Sequence, residues 1–173
     1  MNLSVIVASC DRPSLAAAMR SASSQMHEGD EVLVAVNQDC PWGHKARNHL
    51  MRAARGDYLL FMDDDDAYVP GALDVVRAAV EQDKTAGQRM HLFRMQYANG
   101  AQLWADPTVR LGNVSTQMVV VPWGVTRMFA SCRWNEDLYE GDYHFIAACA
   151  DRVPTAWHEE VIALVRPVMM ANL

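Results

Sequence analysis

The sequence YLLFMDDDD ends in four consecutive carboxylates, Asp63 to Asp66, which we call the acidic tetrad. Its apolar part suits a buried strand, whereas unit charges about 4 Å apart repel by roughly 1 kcal/mol in water and by more where water is excluded. The acidic tetrad must therefore be solvated or bind cations. It is either a solvated acidic turn, or Asp63 with Asp65, or Asp64 with Asp66, supplies oxygen ligands for a hard divalent ion.

A second acidic cluster occurs in the sequence RWNEDLYEGDYHFIAACADR, where four acids lie within seven residues: Glu136, Asp137, Glu140 and Asp142. The apolar residues that follow Asp142 indicate a helix beginning near Gly141. An acid at this point is typical of an ordinary helix cap or first turn. The alternative is that one of these carboxylates accepts a proton in a reaction.

Composition limits the class of protein before any motif is considered. The chain has 173 residues, of which 51% are hydrophobic and 21% charged, and we expect one globular domain. The formal net charge is −6, and nothing resembles the basic stripe that nucleic acids or anionic membranes require. No run approaches 18 apolar residues, which excludes a transmembrane segment. Four cysteines without CxxC spacing indicate reduced thiols and a cytoplasmic protein.

The elements that must position these acids begin with three βα units, which predict a parallel sheet covered by helices. Strands are predicted at Leu3 to Ser9, Glu31 to Val36 and Tyr58 to Met62, with helices after Pro13, over His44 to Arg55 and after Pro70. Because ligands bind at the carboxyl ends of such strands, the acidic tetrad lies at a favourable edge.

The second half of the chain changes pattern and contains further short strands and two helices. Strands are predicted at Met90 to Tyr97, Ala101 to Ala105, Thr116 to Val121, Thr155 to His158 and Val161 to Val165, and helices at Trp123 to Ala130 and over YHFIAACA. Asn99 and Gly100 form a hairpin turn signal. We expect one domain with two unequal halves, over about 1–89 and about 90–173.

The helix predicted over His44 to Arg55 is basic and amphipathic, and Gly56 is expected to close it in a left-handed conformation. Its first turn carries Lys45 and Arg47, which on an exposed helix could simply be solvated. The amino end of this helix should lie near the carboxyl edge of the sheet, where amide dipoles favour phosphate.

The order SVIVASCDRP, KARN, YLLFMDDDDAYVPGAL, NEDLYEGDYHFI resembles the GT-A glycosyltransferases of the large inverting family 2 type, which includes cellulose synthase and many small bacterial sugar transferases. The likeness is closest over residues 4 to 73. FMDDDDAYVPGAL is similar to the DxD segment of that family and its following proline helix. The resemblance implies a GT-A fold and a metal-dependent transfer of sugar from a nucleoside diphosphate sugar, by default a UDP-sugar, with guanine and thymine as alternative bases.

The resemblance also implies roles for individual residues. Asp63 and Asp65 match the metal-binding pair, and His158 stands where many such enzymes have a late histidine ligand for Mn²⁺ or Mg²⁺; a lone surface histidine is the alternative. Asp142 matches the catalytic base. The implied nucleotide-sugar site consists of Ser9, Asp11, Arg12, Asp39, Lys45, Arg47, Asn48, Asp63 and Asp64.

Some features depart from the family pattern. NQDCP replaces the usual DGS-type loop around Asp39, and EGD replaces a plain ED pair, so Glu140 and Asp137 compete with Asp142 for the role of base. No QxxRW element follows, which argues against a processive enzyme, and the short chain indicates a trimmed acceptor side. Two rival functions are a sugar nucleotidyltransferase, although ASCDRPS lacks the expected glycine-rich loop, and an inactive nucleotide-sugar-binding module.

Overall fold

The structure is a computed structural model that describes residues 1–36 and 42–167. Its strands are β1 (Leu3–Ser9), β2 (Glu31–Val36), β3 (Tyr58–Asp63), β4 (Ala67–Tyr68), β5 (Met90–Tyr97), β6 (Gln102–Leu103), β7 (Val119–Pro122) and β8 (Thr155–Val165). Its helices are α1 (Leu15–Ser23), α2 (His44–Ala53), α3 (Ala72–Glu81), α4 (Asp83–Ala86), α5 (Trp123–Met128) and α6 (Gly141–Ala150).

The strands of the described residues form one mixed sheet in the order β2-β1-β3-β7-β5-β8-β4, with β6 paired to β5. β1 pairs in parallel with both β2 and β3, and β5 pairs in parallel with β8. β7 is antiparallel to both β3 and β5 and joins the two parallel groups. This arrangement confirms the predicted α/β class with a mostly parallel sheet.

The core lies on the central strands, because these sequences are apolar on both faces. All seven residues of β1 and five of the six in β3 are buried. Behind β3, the ring of Phe61 meets Trp134 edge-on at 5.2 Å, and Trp134 stacks on Phe145 of α6 at 4.6 Å. This aromatic contact fixes α6, and with it the second acidic cluster, against the strand that carries the acidic tetrad.

Gly56 has a different role from the predicted left-handed cap. Helix α2 ends at Ala53, Ala54 is already extended, and Gly56 is not in the left-handed region. A Cβ at Gly56 would lie 2.6 Å from the backbone nitrogen of Ser4 and 2.7 Å from the carbonyl carbon of Leu3. Glycine is therefore needed here for close approach of two backbones.

Three predicted strands also differ in the structure. Thr116–Met118 forms a 3-10 helix before β7, so the strand begins three residues later than expected. The two short strands predicted at the end are one strand, β8, whose register with β5 shifts between Leu92 and Arg94. That irregularity explains why the alternating pattern breaks at Glu159 and Glu160. No helix among the described residues is long and apolar enough to cross a membrane.

Candidate active site

Both acidic clusters reach one cleft of about 770 Å³ at the carboxyl ends of β1 and β3. The parallel register sets Ala8 of β1 beside Asp63 of β3, so the residues that follow both strands meet at this edge. The polar residues that line the cleft include Ser9, Arg12, His44, Arg47, Asp63, Asp64, Asp65, Asp66, Ser115, Gln117, Glu140, Asp142 and Arg166.

Asp64 is a buried structural anion that ties β3 to the loop after β1. It accepts hydrogen bonds from Ser9 Oγ at 2.8 Å, Cys10 N at 2.9 Å and Arg12 Nη1 at 2.7 Å. Burial raises the pKa of Asp64, but these donors have the larger, opposite effect, so the carboxyl pKa is below its ordinary value. Asp64 therefore shapes the β1 loop rather than facing the other three acids.

Asp63 pairs with Arg47, which the sequence pattern had placed outside the apolar face of α2. Arg47 is only 2% exposed, and its guanidinium donates to Asp63 Oδ1 and to Trp42 O while lying over the Trp134 ring. A buried guanidinium is stable only where a carboxylate and carbonyl groups compensate its charge. Gln117 Nε2 donates to the other oxygen of Asp63 at 3.1 Å.

Asp63, Asp65 and Asp66 each offer an oxygen, and these oxygens lie within 4.8 Å of one another. Burial and the charges of Asp63 and Asp65 raise the pKa of Asp66 to about 7, although Arg166 N and Gln117 donate hydrogen bonds to it. Asp65 Oδ2 forms ion pairs with Arg12 Nη1 at 3.1 Å and with Arg166 Nε at 3.2 Å. Negative charge is thus concentrated here beyond what the neighbouring donors compensate.

This donor set fits a hard divalent cation. Mg²⁺ and Mn²⁺ take oxygen ligands, and at about 2.1 Å from the ion, opposite ligands are about 4.2 Å apart. The three carboxylate oxygens lie within 4.8 Å of one another, so small side-chain movements would bring them to one cation, whose charge would offset their mutual repulsion. The structure thus adds Asp66 to the predicted pair Asp63 and Asp65.

Asp142 and Glu140 line the same cleft, whereas Asp137 is exposed outside it. Asp142 is in the first turn of α6, where it accepts hydrogen bonds from Ser115 Oγ at 3.1 Å and from Tyr143 N at 2.7 Å. Gly141 permits this position because a Cβ there would lie 2.5 Å from His44 Nε2. Two of the three candidate bases are therefore near the acidic tetrad.

Only some of the residues implied for the nucleotide-sugar site line the cleft. Ser9 and Arg12 line the cleft, as do Arg47, Asp63 and Asp64, whereas Asp11 and Lys45 do not, and Asp39 falls outside the described residues. Asn48 is buried, and its amide bonds the backbone of Trp134 in both directions, at 2.8 and 3.0 Å, and Glu136 at 2.9 Å. Asn48 therefore holds α2 to the loop before α6.

The structure does not bring His158 to the acidic tetrad, which corrects the expectation that it is a metal ligand. Its Nε2 lies 2.9 Å from His91 Nδ1, and its ring stacks on Phe93 at 4.5 Å. Asp66 instead accepts a hydrogen bond from the backbone of Arg166, which is eight residues after His158 and just beyond the end of β8. At the usual rise of a strand, His158 and Arg166 are roughly 25 Å apart. The parallel pairing of β8 with β5 keeps His158 at the opposite edge of the sheet.

Two contributors to the cleft carry no recognisable signal in the sequence. Gln117 lies inside the strand predicted over Thr116 to Val121, and Arg166 follows the last predicted strand; both reach the acidic tetrad only because β7 and β8 share the sheet with β3 and β4. The sequence did name Asp66, as part of the alternative pair Asp64 and Asp66.

Comparison with known proteins agrees with this geometry. A 90-residue segment is 26% identical to an uncharacterized glycosyltransferase of Haemophilus influenzae, covering 52% of this chain and 31% of that protein. TarS of S. aureus in complex with UDP-GlcNAc superposes with a TM-score of 0.75 at 16% identity, over 95% of this chain and 58% of TarS 1-349. A197 from STIV superposes with a TM-score of 0.58 at 10% identity, over 91% of this chain and 81% of that one.

The chain thus spans about a third of its Haemophilus relative and about three fifths of the TarS fragment. At these identities the two solved structures show a shared GT-A fold and no more. The family model for glycosyl transferase family 2 matches residues 36–137, which is more than half of the chain and includes the acidic tetrad and α2. The chain therefore belongs to glycosyl transferase family 2.

Proposed function

We propose that this protein is a metal-dependent, inverting glycosyltransferase that moves a sugar from a nucleoside diphosphate sugar to an acceptor hydroxyl. The observation that carries the proposal is the meeting of two acidic clusters in one cleft, Asp63, Asp65 and Asp66 on one side and Asp142 on the other. Such a transfer needs both: carboxylates that would hold a metal ion to stabilise the leaving diphosphate, and a carboxylate that activates the attacking hydroxyl.

The donor half comprises about residues 1–89, and the donor is a UDP-sugar by default. TarS, whose fold this chain shares, is described in complex with UDP-GlcNAc and with UDP. The loop after β1 is set by Asp64 and presents Arg12 to the cleft, beside the acidic tetrad. The amino end of α2 points its first turn toward the same cleft, as expected for a helix that favours phosphate.

Asp63, Asp65 and Asp66 would hold a Mn²⁺ or Mg²⁺ ion, with Arg12 and Arg166 against Asp65. When bound, the ion supplies Lewis acidity to the leaving diphosphate. Arg47 and Gln117 hold the Asp63 carboxylate in place from opposite oxygens. The orientation of the ligands is thus fixed by side chains that come from four different parts of the chain.

Asp142 is the general base that we propose for the acceptor half, about residues 90–173. The amino end of α6 favours a negative charge on this residue, and Ser115 orients one of its oxygens. A carboxylate there can accept the proton of an acceptor hydroxyl as the oxygen attacks the sugar from the face opposite the diphosphate. One displacement of this kind inverts the anomeric centre. The free thiols of Cys132 and Cys149 agree with the cytoplasmic location that we propose.

The test is an assay of UDP release from UDP-glucose and UDP-GlcNAc with Mn²⁺, with Mg²⁺ and with EDTA. We expect UDP release that EDTA abolishes and excess Mn²⁺ restores. The NMR signal of the anomeric proton should show that the product has the anomeric configuration opposite to that of the donor. Pyrophosphate formation from a sugar phosphate and a nucleoside triphosphate would instead support a nucleotidyltransferase. Tight UDP binding without any release would support an inactive binding module.

A further inference from the structure

Three aromatic side chains stand exposed around the acidic cleft. Trp42 is 37% exposed, Tyr97 36% and Tyr139 72%, and all three line the cleft. Exposed rings gathered at one cleft are a signature of a binding surface rather than of a random apolar surface. They come from separate parts of the chain, before α2, at the end of β5 and before α6, and only the fold brings them together.

The rings share the cleft with the proposed base, Asp142. Tyr139 is three residues before Asp142 and meets the ring of Trp42 edge-on, with 6.3 Å between centroids. Tyr97, the last residue of β5, lines the same cleft. A molecule that lies on these rings therefore occupies the cleft that holds Asp142.

We propose that Tyr139 and Tyr97 form the acceptor subsite and that the acceptor is an uncharged carbohydrate whose ring stacks on Tyr139. This inference rests on the proposed glycosyl transfer. The face of an aromatic ring is negative and attracts polarised C–H groups, which one face of a sugar ring presents together. Stacking leaves the hydroxyls at the rim of the sugar, where Asp142 can accept a proton from one of them. Asn99 and Glu140 offer further polar groups in the same cleft.

The charges of the cleft argue for a neutral acceptor. The arginines among its described residues, Arg12, Arg47 and Arg166, each pair with a carboxylate of the acidic tetrad. A phosphorylated or carboxylated acceptor would meet Glu140 and Asp142 without a free cation to balance it.

The test measures binding of neutral oligosaccharides in the presence of UDP and Mn²⁺. Maltotetraose, cellotetraose and chitotetraose serve as probes, and saturation-transfer NMR and calorimetry report binding without any reaction. For a probe that binds, Tyr139→Ala should weaken affinity about tenfold, while Tyr139→Phe keeps it, because the ring and not the hydroxyl carries the contact. Met128→Ala is the matched control, since Met128 is 74% exposed but does not line the cleft.

Affinity for UDP is measured on every variant and separates this inference from the proposed function. We expect Tyr139→Ala to bind UDP as the parent does. If it loses UDP and oligosaccharide equally, the ring belongs to the donor site and the inference is overturned. It is also overturned if no oligosaccharide binds although UDP does, or if glycerol phosphate binds in a Tyr139-dependent manner. A protein that binds neither UDP nor any oligosaccharide overturns both proposals.

Discussion

At the scale of single residues, the four adjacent carboxylates of the acidic tetrad have different tasks. Asp64 accepts hydrogen bonds from the β1 loop, Asp63 pairs with a buried arginine, and Asp65 and Asp66 join Asp63 in a cluster of oxygens. The difference arises because successive residues after a strand point in different directions. Substitutions within the acidic tetrad should therefore separate folding from metal binding.

Asp64→Asn should destabilise the fold, because an amide nitrogen would then face donors that now meet a carboxylate. Leaving a buried hydrogen-bonding group unsatisfied costs about 1–3 kcal/mol, and Asp64 accepts from Ser9, Cys10 and Arg12. Urea unfolding measures the effect. Asp65→Asn is the matched control, and its unfolding midpoint should stay close to that of the parent. Equal stability of the two variants would contradict the anchoring role of Asp64.

The identity of the base is tested by comparing Asp142→Asn, Glu140→Gln and Asp137→Asn in turnover and in UDP affinity. Asp142→Asn should lose about 10² to 10⁴ in turnover with nearly normal donor binding, since proton transfer matters only in the transition state. Asp137→Asn should be almost silent, because Asp137 lies outside the cleft. If Glu140→Gln collapses while Asp142→Asn stays active, the base is Glu140.

At the scale of elements, the start of α6 is held in place by a contact that only glycine permits. A methyl group at Gly141 would lie 2.5 Å from His44 Nε2 and 2.9 Å from Asn135 O. His44 is buried, and its ring stacks on Trp134 at 5.5 Å, so it has little room to move. The first turn of α6, which carries Asp142, must therefore shift if Gly141 gains a side chain.

Gly141→Ala should lower turnover strongly, because a displacement of about 1 Å in a catalytic group can cost about 10²-fold. Single-turnover kinetics with a saturating donor would measure it. Gly124→Ala is the control, since its Cβ would meet nothing nearer than Gln88 Oε1 at 3.8 Å, and α5 should gain a little stability. Unchanged turnover in Gly141→Ala would show that the position of this helix start is not critical.

The far edge of the sheet is stabilised by a network around Asp83 of α4. Its carboxylate accepts hydrogen bonds from Tyr58 at 2.6 Å, from Arg89 Nε at 2.7 Å and from His91 at 3.0 Å. Burial raises the pKa of Asp83, but these donors together lower it to about 2. His158 extends the network through His91.

This network predicts a specific acid dependence of stability. Because the folded pKa of Asp83 is below its ordinary value of 3.8, its contribution of about 2 kcal/mol is present above pH 4 and is lost as the pH falls toward 2. Asp83→Asn should lower the free energy of unfolding at pH 7 and flatten its decline between pH 4 and 2. Unfolding by urea at several pH values measures both, and a variant with the parent's pH profile would contradict the role of Asp83.

Local sequence patterns predicted several elements to the residue, including β1, β2 and β5. β1 is fully buried and β2 is only half-buried, so turn residues at the boundaries, and not burial alone, mark the ends of these strands. Arg47 was misplaced because its burial depends on Asp63, Trp42 and Trp134, none of which is visible in a helical pattern. Gln117 and Arg166 join the site from 51 and 100 residues away from Asp66, a distance that no local pattern spans.

At the scale of the whole molecule, one sheet carries both sides of the proposed reaction. β3 brings the acidic tetrad to the cleft, and β7 and β8 bring Gln117 and Arg166 to it from the second half of the chain. Four of the acids that give the chain its net charge of −6 lie together at this edge of the sheet. The central claim is that this concentration of charge binds a cation together with a nucleotide.

Calorimetry of UDP binding with and without Mn²⁺ tests that claim most directly, on the parent, Asp65→Asn and Asp137→Asn. The parent and Asp137→Asn should bind UDP at least about tenfold more tightly with Mn²⁺, since the ion bridges protein and diphosphate. In Asp65→Asn this enhancement should disappear while weak, metal-independent binding remains. An Asp65→Asn variant that binds Mn²⁺ and UDP as tightly as the parent would contradict the assignment of the acidic tetrad as the metal site.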